Sequence, residues 1–347
     1  MNSPVEAITN NTARFFFMNR TLEGGRQQVS RQNTPACQGK FWQTAHVRKN
    51  LLLLALVLVL SACTSASKGH SYSISQNDVT SITIKDSAEF SAKRVVVLAN
   101  GVAEIMSSLN ATSILVGRDI SSTQSFLKDV PIVTSGHQVM AEKVISLKPD
   151  LVIIDASTGP QSAIEQIKKA GIRVVLTPES WTLTDIDKKI SAVGAAIGAG
   201  IQAAKLNQLM SISFSQSTVT GSPRIAFLYL RGTSSIYLIG GPGSGADSLI
   251  NSIGAIDVGA QIFSHPFNTL TAESLATANP DIILVMSKGL ESVGGTSGLL
   301  QLPGVAQTAA GKNARVIDVD DSLLLAFGTR TPSLVQALSL AVTKVMQ

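Results

Sequence analysis

The chain has 347 residues, of which 44% are apolar and 15% charged, enough length for more than one domain and enough apolar material for two cores. Its net charge of +5 does not point to nucleic acid, because residues 1–62 hold seven Lys/Arg against two acids, and the totals of 28 and 23 leave 21 of each sign in residues 63–347. The only two cysteines, Cys37 and Cys63, fall within or at the end of a leader, so a disulfide framework, a thiol nucleophile and a Cys-zinc site are set aside for the body.

The leader spans residues 1–62. His46-Val-Arg-Lys-Asn50 is basic, Leu51 to Leu60 is an unbroken apolar run, and Ser61-Ala62 are small, which together are the parts of an export signal. The run is too short for a permanent membrane helix, which needs about 20 apolar residues. Leu60-Ser-Ala-Cys63 resembles a bacterial lipobox, in which the cysteine is lipidated and becomes the first mature residue; a plain signal ending at Ala62 is the alternative. The extension before His46 is longer than such a signal needs, and Met18 is a later candidate start. Residues 63–92 are small and polar, the composition of a flexible tether, with Ser81-Ile-Thr-Ile-Lys85 alternating as a short edge strand.

The body, residues 93–347, is organised by a stretch that occurs twice. Ala141-Glu-Lys-Val-Ile-Ser-Leu-Lys-Pro-Asp150 runs into Leu151-Val-Ile-Ile154, and Ala272-Glu-Ser-Leu-Ala-Thr-Ala-Asn-Pro-Asp281 runs into Ile282-Ile-Leu-Val285. Each predicts a short amphipathic helix, stopped by the proline, and then a strand apolar on both faces, as in a covered parallel sheet. Residues 93–182 form the first lobe: strands at Arg94–Leu98 and Ile114–Arg118, a helix at Val102–Leu109 after the Asn100-Gly101 turn, a Ser/Thr-rich loop, the first repeat, a helix at Pro160–Ala170 and a strand at Arg173–Leu176. From Thr184 to about Gln216 no proline interrupts a helical spacing of Ile186, Ile190, Val193, Ile197, Leu206 and Leu209. One linking helix over 183–216, roughly 45 Å long at 1.5 Å per residue, is therefore expected, weakened by Gly194, Gly198 and Gly200. Such a stiff helix predicts small closure motions. The second lobe, 217–347, opens with strand Arg224–Leu230 and the hairpin-like Ile236–Ile239. The glycine run Gly240–Gly245 lacks the Lys-Ser/Thr that a phosphate loop requires. Helix Asp247–Ile253, the second repeat, strand Val316–Val319 and a C-terminal helix complete the lobe. The acids of Asp318-Val-Asp-Asp321 straddle a strand end and are expected at the surface rather than on a metal.

Two Rossmann-like α/β lobes, one long helix between them and a lipoprotein-type leader together resemble the helical-backbone class of ABC-importer substrate-binding proteins. That class takes haem, cobalamin and ferric siderophores, and the resemblance covers residues 90–347. Lys288-Gly-Leu-Glu-Ser-Val-Gly-Gly295 and Leu324-Leu-Ala-Phe-Gly-Thr-Arg-Thr-Pro332 look most like the haemin-binding lipoproteins of haem importers. The resemblance implies a monomeric, lipid-anchored protein outside the cytoplasmic membrane, with no catalytic activity and no catalytic cofactor. Such a protein captures haem between its lobes and hands it to a permease dimer with ATPase subunits. In some haem-binding members a histidine of the first lobe and a tyrosine of the second hold the iron, and His137 and Tyr237 match those positions. His70 and Tyr72 lie in the expected tether, and Tyr229 lies in an apolar strand. Where such tyrosines often have a basic neighbour, Ile239 and Gly240 follow here, so Arg231 would have to serve.

Arg118, Arg231, Lys288 and Arg330, at strand ends or in loops, could pair with the haem propionates, although surface charge is the plainer reading of each. Phe126, Met140, Phe263 and Phe327 are candidate walls. Glu142 and Glu273, equivalent in the two repeats, match the pair that docks onto basic permease pockets in this class, and each also suits a helix first turn. Cobalamin or a ferric siderophore is the alternative ligand. A two-lobed metalloenzyme or redox subunit is the alternative class, disfavoured by the absence of clustered Cys, of HxxE spacing and of a dinucleotide glycine fingerprint.

Overall fold

The structure, a computed structural model, describes residues 70–86, 88–214 and 218–347; the export signal, the lipobox and Cys63 lie outside the described residues. Much of the expected tether is part of the fold. Strand β1 (Ser71–Ile74) pairs in parallel with Val316–Val319 at the edge of the second lobe's sheet. The chain then crosses to the first lobe, with Ile82 N–H bonded to Thr329 O, Ile84 N–H to Ser108 O and Ser91 N–H to Ile197 O. Ile74, Val79, Ile84 and Ala92 are buried in the core along the way. Ser81–Lys85 forms no strand; its backbone bonds go to this crossing instead.

The first lobe is built from β2 (Val95–Val97), α1 (Val102–Ser108), β3 (Leu115–Arg118), a small hairpin β4 (Thr134–Ser135) and β5 (Gln138–Val139), α2 (Ala141–Ser146), β6 (Leu151–Ile154), α3 (Gln161–Lys169) and β7 (Arg173–Leu176). Its sheet has the order β3-β2-β6-β7, all parallel. Two helices follow, α4 (Ile186–Ile197) and α5 (Gly200–Ser213).

They correct the single long helix. Gly198 takes φ 81° and closes α4, with Ala199 N–H reaching Gly194 O at 2.7 Å, the bond that ends a helix on a left-handed glycine. The chain folds back, so that Asn207 Nδ2 donates to Asp187 O at 3.0 Å and to Ser191 Oγ at 2.9 Å. Close packing of the pair depends on Gly194, where a Cβ would stand 2.3 Å from that of Ala203. The glycines thus break the helix and let its halves pack. Neither half, at about 20 Å, runs the length of both lobes.

The second lobe holds β8 (Arg224–Arg231), β9 (Ile236–Gly240), α6 (Ala246–Ser252), β10 (Ile256–Asp257), α7 (Val258–Ile262), β11 (Phe267–Thr269), α8 (Ala272–Ala278), β12 (Ile282–Met286), α9 (Ser287–Ser292), α10 (Gly295–Leu299), α11 (Ala309–Lys312), β13 (Val316–Val319), α12 (Asp321–Leu324) and α13 (Thr331–Met346). Its sheet runs β1-β13-β12-β8-β9-β11, with β10 also on β8. Side chains alternate between two cores, as strand geometry requires. Ile225, Phe227, Ile282, Leu284, Ile317 and Val319 share one core with Val95, Val97, Leu151 and Ile153 of the first lobe and with Ile186, Ile190 and Leu206 of the helix pair. Ala226, Leu228, Ile283 and Val285 form a separate core on the other face. One continuous core therefore joins both sheets.

The Pro-Asp repeat does the same work in each lobe. Asp150 accepts from Lys93 N–H at 2.6 Å and Arg94 N–H at 3.2 Å, and the Arg94 guanidinium caps the end of α2 at Leu147 O and Lys148 O. Asp281 accepts from Arg224 N–H at 2.9 Å, and Arg224 Nη2 caps α8 at Ala278 O at 2.9 Å. Each aspartate satisfies the amide that starts a central strand, and each arginine satisfies carbonyls a helix end leaves over. Asp150→Ala and Asp281→Ala should each cost about 1–2 kcal/mol. Because the sites are far apart, the double variant should lose the sum, as chemical denaturation would show.

Candidate functional site

In sheets of this kind ligands bind beyond the carboxyl ends of the parallel strands, and the carboxyl edges of the two lobes meet. Asn100, after β2, donates from Nδ2 to Leu325 O at 2.9 Å. Gln76, after β1, donates to Thr123 Oγ1 of the first lobe at 3.1 Å and to Asp320 of the second at 3.3 Å. Trp181, Leu325 and Phe327 gather where a Cβ on Gly245 would stand.

The junction is held by buried charge. Glu104 on α1, 1% exposed, accepts from Arg330 N–H at 2.5 Å, Arg330 Nε at 2.7 Å and Thr329 Oγ1 at 3.1 Å. Arg330 Nη2 reaches Ser322 O at 3.0 Å. Gly328 leaves room for the carboxylate, which would lie 2.7 Å from a Cβ there. Lys189 on α4, also buried, donates to Asn100 O at 3.0 Å, Ala326 O at 2.9 Å and Phe327 O at 3.4 Å.

These contacts dispose of two expected propionate partners. Arg330 is taken by Glu104. Arg118 is spent on its own loop, donating to Leu127 O, Val130 O, Ser122 O and Asp119 O, and so shapes the 119–131 segment. Arg231 and Lys288 differ. Asp321 ties them together, through Arg231 Nη2 at 3.4 Å and the Lys288 backbone N–H at 2.9 Å. The Arg231 guanidinium lies 4.6 Å from the Tyr229 ring centre, while the Lys288 side chain is exposed. The neighbouring acids Asp318 and Asp320 bind Ser73, Ser287, Gln76 and Ser322, and among the described residues no cluster could hold a metal ion.

His137 sits with Gly136 at the tip of the β4–β5 hairpin and is exposed. The hairpin is fixed from behind by Val139 N–H on Gly159 O and Met140 N–H on Val133 O. Tyr237, second residue of β9, is half-buried and opposite Leu230, packed on the core that also holds Phe263 and Val293. Arg231 is one residue further along β8 than Leu230, and so projects from the opposite face of the sheet. It stacks on Tyr229, not on Tyr237, and cannot be the basic neighbour that Tyr237 lacks.

Exposed apolar side chains lie close in sequence to both His137 and Tyr237. Ile120, Phe126, Ile132 and Met140 of the first lobe, all between β3 and α2, and Ile236 of the second, the first residue of β9, are each 36–41% exposed. Phe327, in contrast, is 1% exposed and belongs to the core. Glu142 and Glu273 are both exposed in the first turns of equivalent helices.

Glu104 and Lys189 were not among the residues singled out by sequence. A signal for Lys189 was present, since it falls on the apolar stripe of Ile186, Ile190 and Val193. Glu104 likewise sits within the apolar helix Val102–Leu109.

A family model described as periplasmic binding protein matches residues 95–323. The apo form of the periplasmic haem-binding protein RhuT of Roseiflexus is 33% identical, with a TM-score of 0.70 over 74% of this chain and 100% of that one. The haem-binding protein HmuT is 30% identical, with a TM-score of 0.71 over 80% and 98%. YvrC of Bacillus subtilis, described as an uncharacterised ABC transporter substrate-binding lipoprotein, is 28% identical over 80% of this chain and 91% of its own.

Removing one member of a buried ion pair strands the other charge, at about 3–5 kcal/mol. Glu104→Ala should show that loss in chemical denaturation. Glu104→Met with Arg330→Met should lose far less than the sum of the two single changes, because neither charge is then left buried alone.

Proposed function

The chain belongs to the periplasmic binding protein family, as an ABC-type substrate-binding protein and not an enzyme, and on that premise we propose that its ligand is haem, held between the two lobes. The observation that carries the reading is the exposed apolar set Ile120, Phe126, Ile132, Met140 and Ile236, which lies close in sequence to an accessible imidazole, His137, on one lobe and a half-buried phenol, Tyr237, on the other. A flat apolar ring with a central iron fits both features: the apolar faces leave water, and imidazole and phenol are both iron ligands. Contiguous exposed apolar patches mark binding surfaces, and on this reading these five residues line one. His137 and Tyr237 are the proposed axial ligands. Arg231 and Lys288 are the proposed propionate partners, with Asp321 holding Arg231 in place. The haem-binding relatives RhuT and HmuT support this ligand class.

The remaining assignments follow the same family logic. Glu142 and Glu273, one per lobe on equivalent exposed helix starts, would dock onto the two permease subunits, and ATPase subunits would drive release inward. Cys63 would carry the lipid that anchors the protein outside the cytoplasmic membrane, in keeping with its lipoprotein relative.

Titration of the purified protein with haemin, followed in the Soret region, tests the ligand and both axial positions. A saturable band is expected. His137→Ala and Tyr237→Ala should each move its position and weaken binding by about tenfold or more, equivalent to 1.4 kcal/mol. A shift with His137→Ala alone would leave Tyr237 as packing. Absence of a specific band, with tight binding of cobalamin or a ferric siderophore, would replace haem while keeping the family.

A further inference from the structure

The Lys189 ammonium does more than fill a buried place. Its three N–H donors meet three carbonyls from both lobes: Asn100 O of the first and Ala326 and Phe327 O of the second. The second-lobe segment it grips is tightly constrained. Phe327 is a non-glycine residue at φ 46°, a conformation that costs energy unless its surroundings impose it. Gly101 closes the other side, since a Cβ there would stand 2.3 Å from Ala326 O. Leu325 and Phe327 in turn pack near Trp181, which contacts the start of α6 at Gly245. The ammonium thus sets where the Leu325–Phe327 segment lies against the first lobe, at the meeting of the two carboxyl edges.

We propose that Lys189 is a positioning residue of the ligand site, which holds the two carboxyl edges in binding register while it is protonated and lets them slacken when it is neutral. A neutral amine has two donors for three carbonyls and turns a lone pair toward one of them. Burial is the main cause that brings the Lys189 pKa down from 10.5 to about 8, and the nearby carboxylates of Asp155, Glu104 and Glu179 oppose it. Those three acids are otherwise engaged. Asp155 accepts from Asn100 N–H, Ser157 and Thr158, Glu104 binds Arg330, and Glu179 accepts from Trp181 Nε1 at 2.9 Å. On its own helix start, Lys188 is paired with Asp185 at 2.9 Å and Asp187 stands in the first turn. None of these replaces the ammonium at the three carbonyls. The linkage sign is opposite for global stability. Below pH 8 the folded state bears the cost of a buried charge, and that cost fades as pH rises from about 8 toward 10.5. Stability against unfolding should therefore rise in the window where the grip on the lobes weakens, a split that a residue serving stability alone would not produce.

The proposal about affinity rests on the ligand lying between the lobes, and the experiment separates the two. In a Trp42→Phe background Trp181 is the only tryptophan. Its emission, followed in the ligand-free protein from about pH 7 to about pH 10, should show a transition with a midpoint near 8. Lys189→Arg, always charged, should show none, and neither should Lys189→Met. Haemin affinity should fall at least fivefold for wild type relative to Lys189→Arg across the same range, a comparison that cancels the titration of haemin and of its ligands. Lys189→Met at neutral pH should already show the weakened binding. A flat Trp181 profile in wild type, or equal haemin affinity of wild type and Lys189→Arg at both ends of the range, would overturn the proposal. If Lys189→Met does not fold, the wild-type and arginine profiles decide alone. If wild type binds no haemin, the haem reading fails while the Trp181 transition still judges the ammonium.

Discussion

The architecture depends on one arrangement, the buried Glu104–Arg330 pair between the first turn of a first-lobe helix and the approach to the last helix of the second lobe. Two charges taken out of water are costly unless each is fully met by partners, and here each is. The carboxylate receives a guanidinium, a backbone amide and a hydroxyl, and the guanidinium also reaches the Ser322 carbonyl. That requirement fixes much around it. Gly328 must be small, Gly101 must let the Ala326 carbonyl in, and Phe327 must accept a left-handed backbone. Polar contacts of this kind tolerate little displacement, whereas an apolar contact slides. The lobes are therefore keyed to one another by polar contacts where their carboxyl edges meet and share a single apolar core elsewhere.

This changes where the stiffness of the molecule resides. A single rod spanning both lobes would resist bending by its own length. The folded-back pair of helices cannot do so, and the role passes to the crossing segment of residues 75–92, the helix corner at Gly198 and the charged junction. The Ser91 side chain lies where a Cβ on Gly198 would need to be, 2.8 Å away at Oγ, so strap and corner hold each other.

What the sequence disclosed followed periodicity and local chemistry. The buried strands are legible because covered parallel strands are apolar at every position, and the repeat is legible because Pro-Asp recurs at the same structural joint. The αα-hairpin was less so: apolar spacing continues through Gly198 and Gly200, and only the weight given to three glycines separates one helix from two. The strap was hidden because Ile74, Val79 and Ile84 are isolated in polar sequence and their partners lie outside it, from Ser108, which accepts the Ile84 N–H, to Val319, which pairs with Ile74. Arg118 and Arg330 look like free charges at strand ends or in loops, and their commitments depend on contacts no spacing reveals; Glu104 and Arg330 are 226 residues apart. The faces of Arg231 and Tyr237 depend on hairpin register, which the sequence around Gly232–Ser235 leaves open.

The first strand carries a consequence for how the molecule is made. Ser71 pairs with Val316, and Ser73 Oγ donates to Asp318 across a separation of 245 residues. A strand near the start of the body must wait for one near the end, and the loop closed between them encompasses nearly the whole molecule. Such non-local pairing slows folding. The second lobe's sheet cannot be finished on a chain still emerging, because its edge and its neighbour are the first and the last of the described strands to appear. The first lobe, whose sheet strands all lie between residues 95 and 176, can pair earlier, but its Ile84 and Ala92 contacts tie it to the same strap. A protein ordered in this way stays incomplete until its final helix, which packs against β1 through Lys344 and Tyr72, has joined it. On the proposed reading of a lipid anchor at Cys63, that delay would suit a chain that crosses a membrane before it closes.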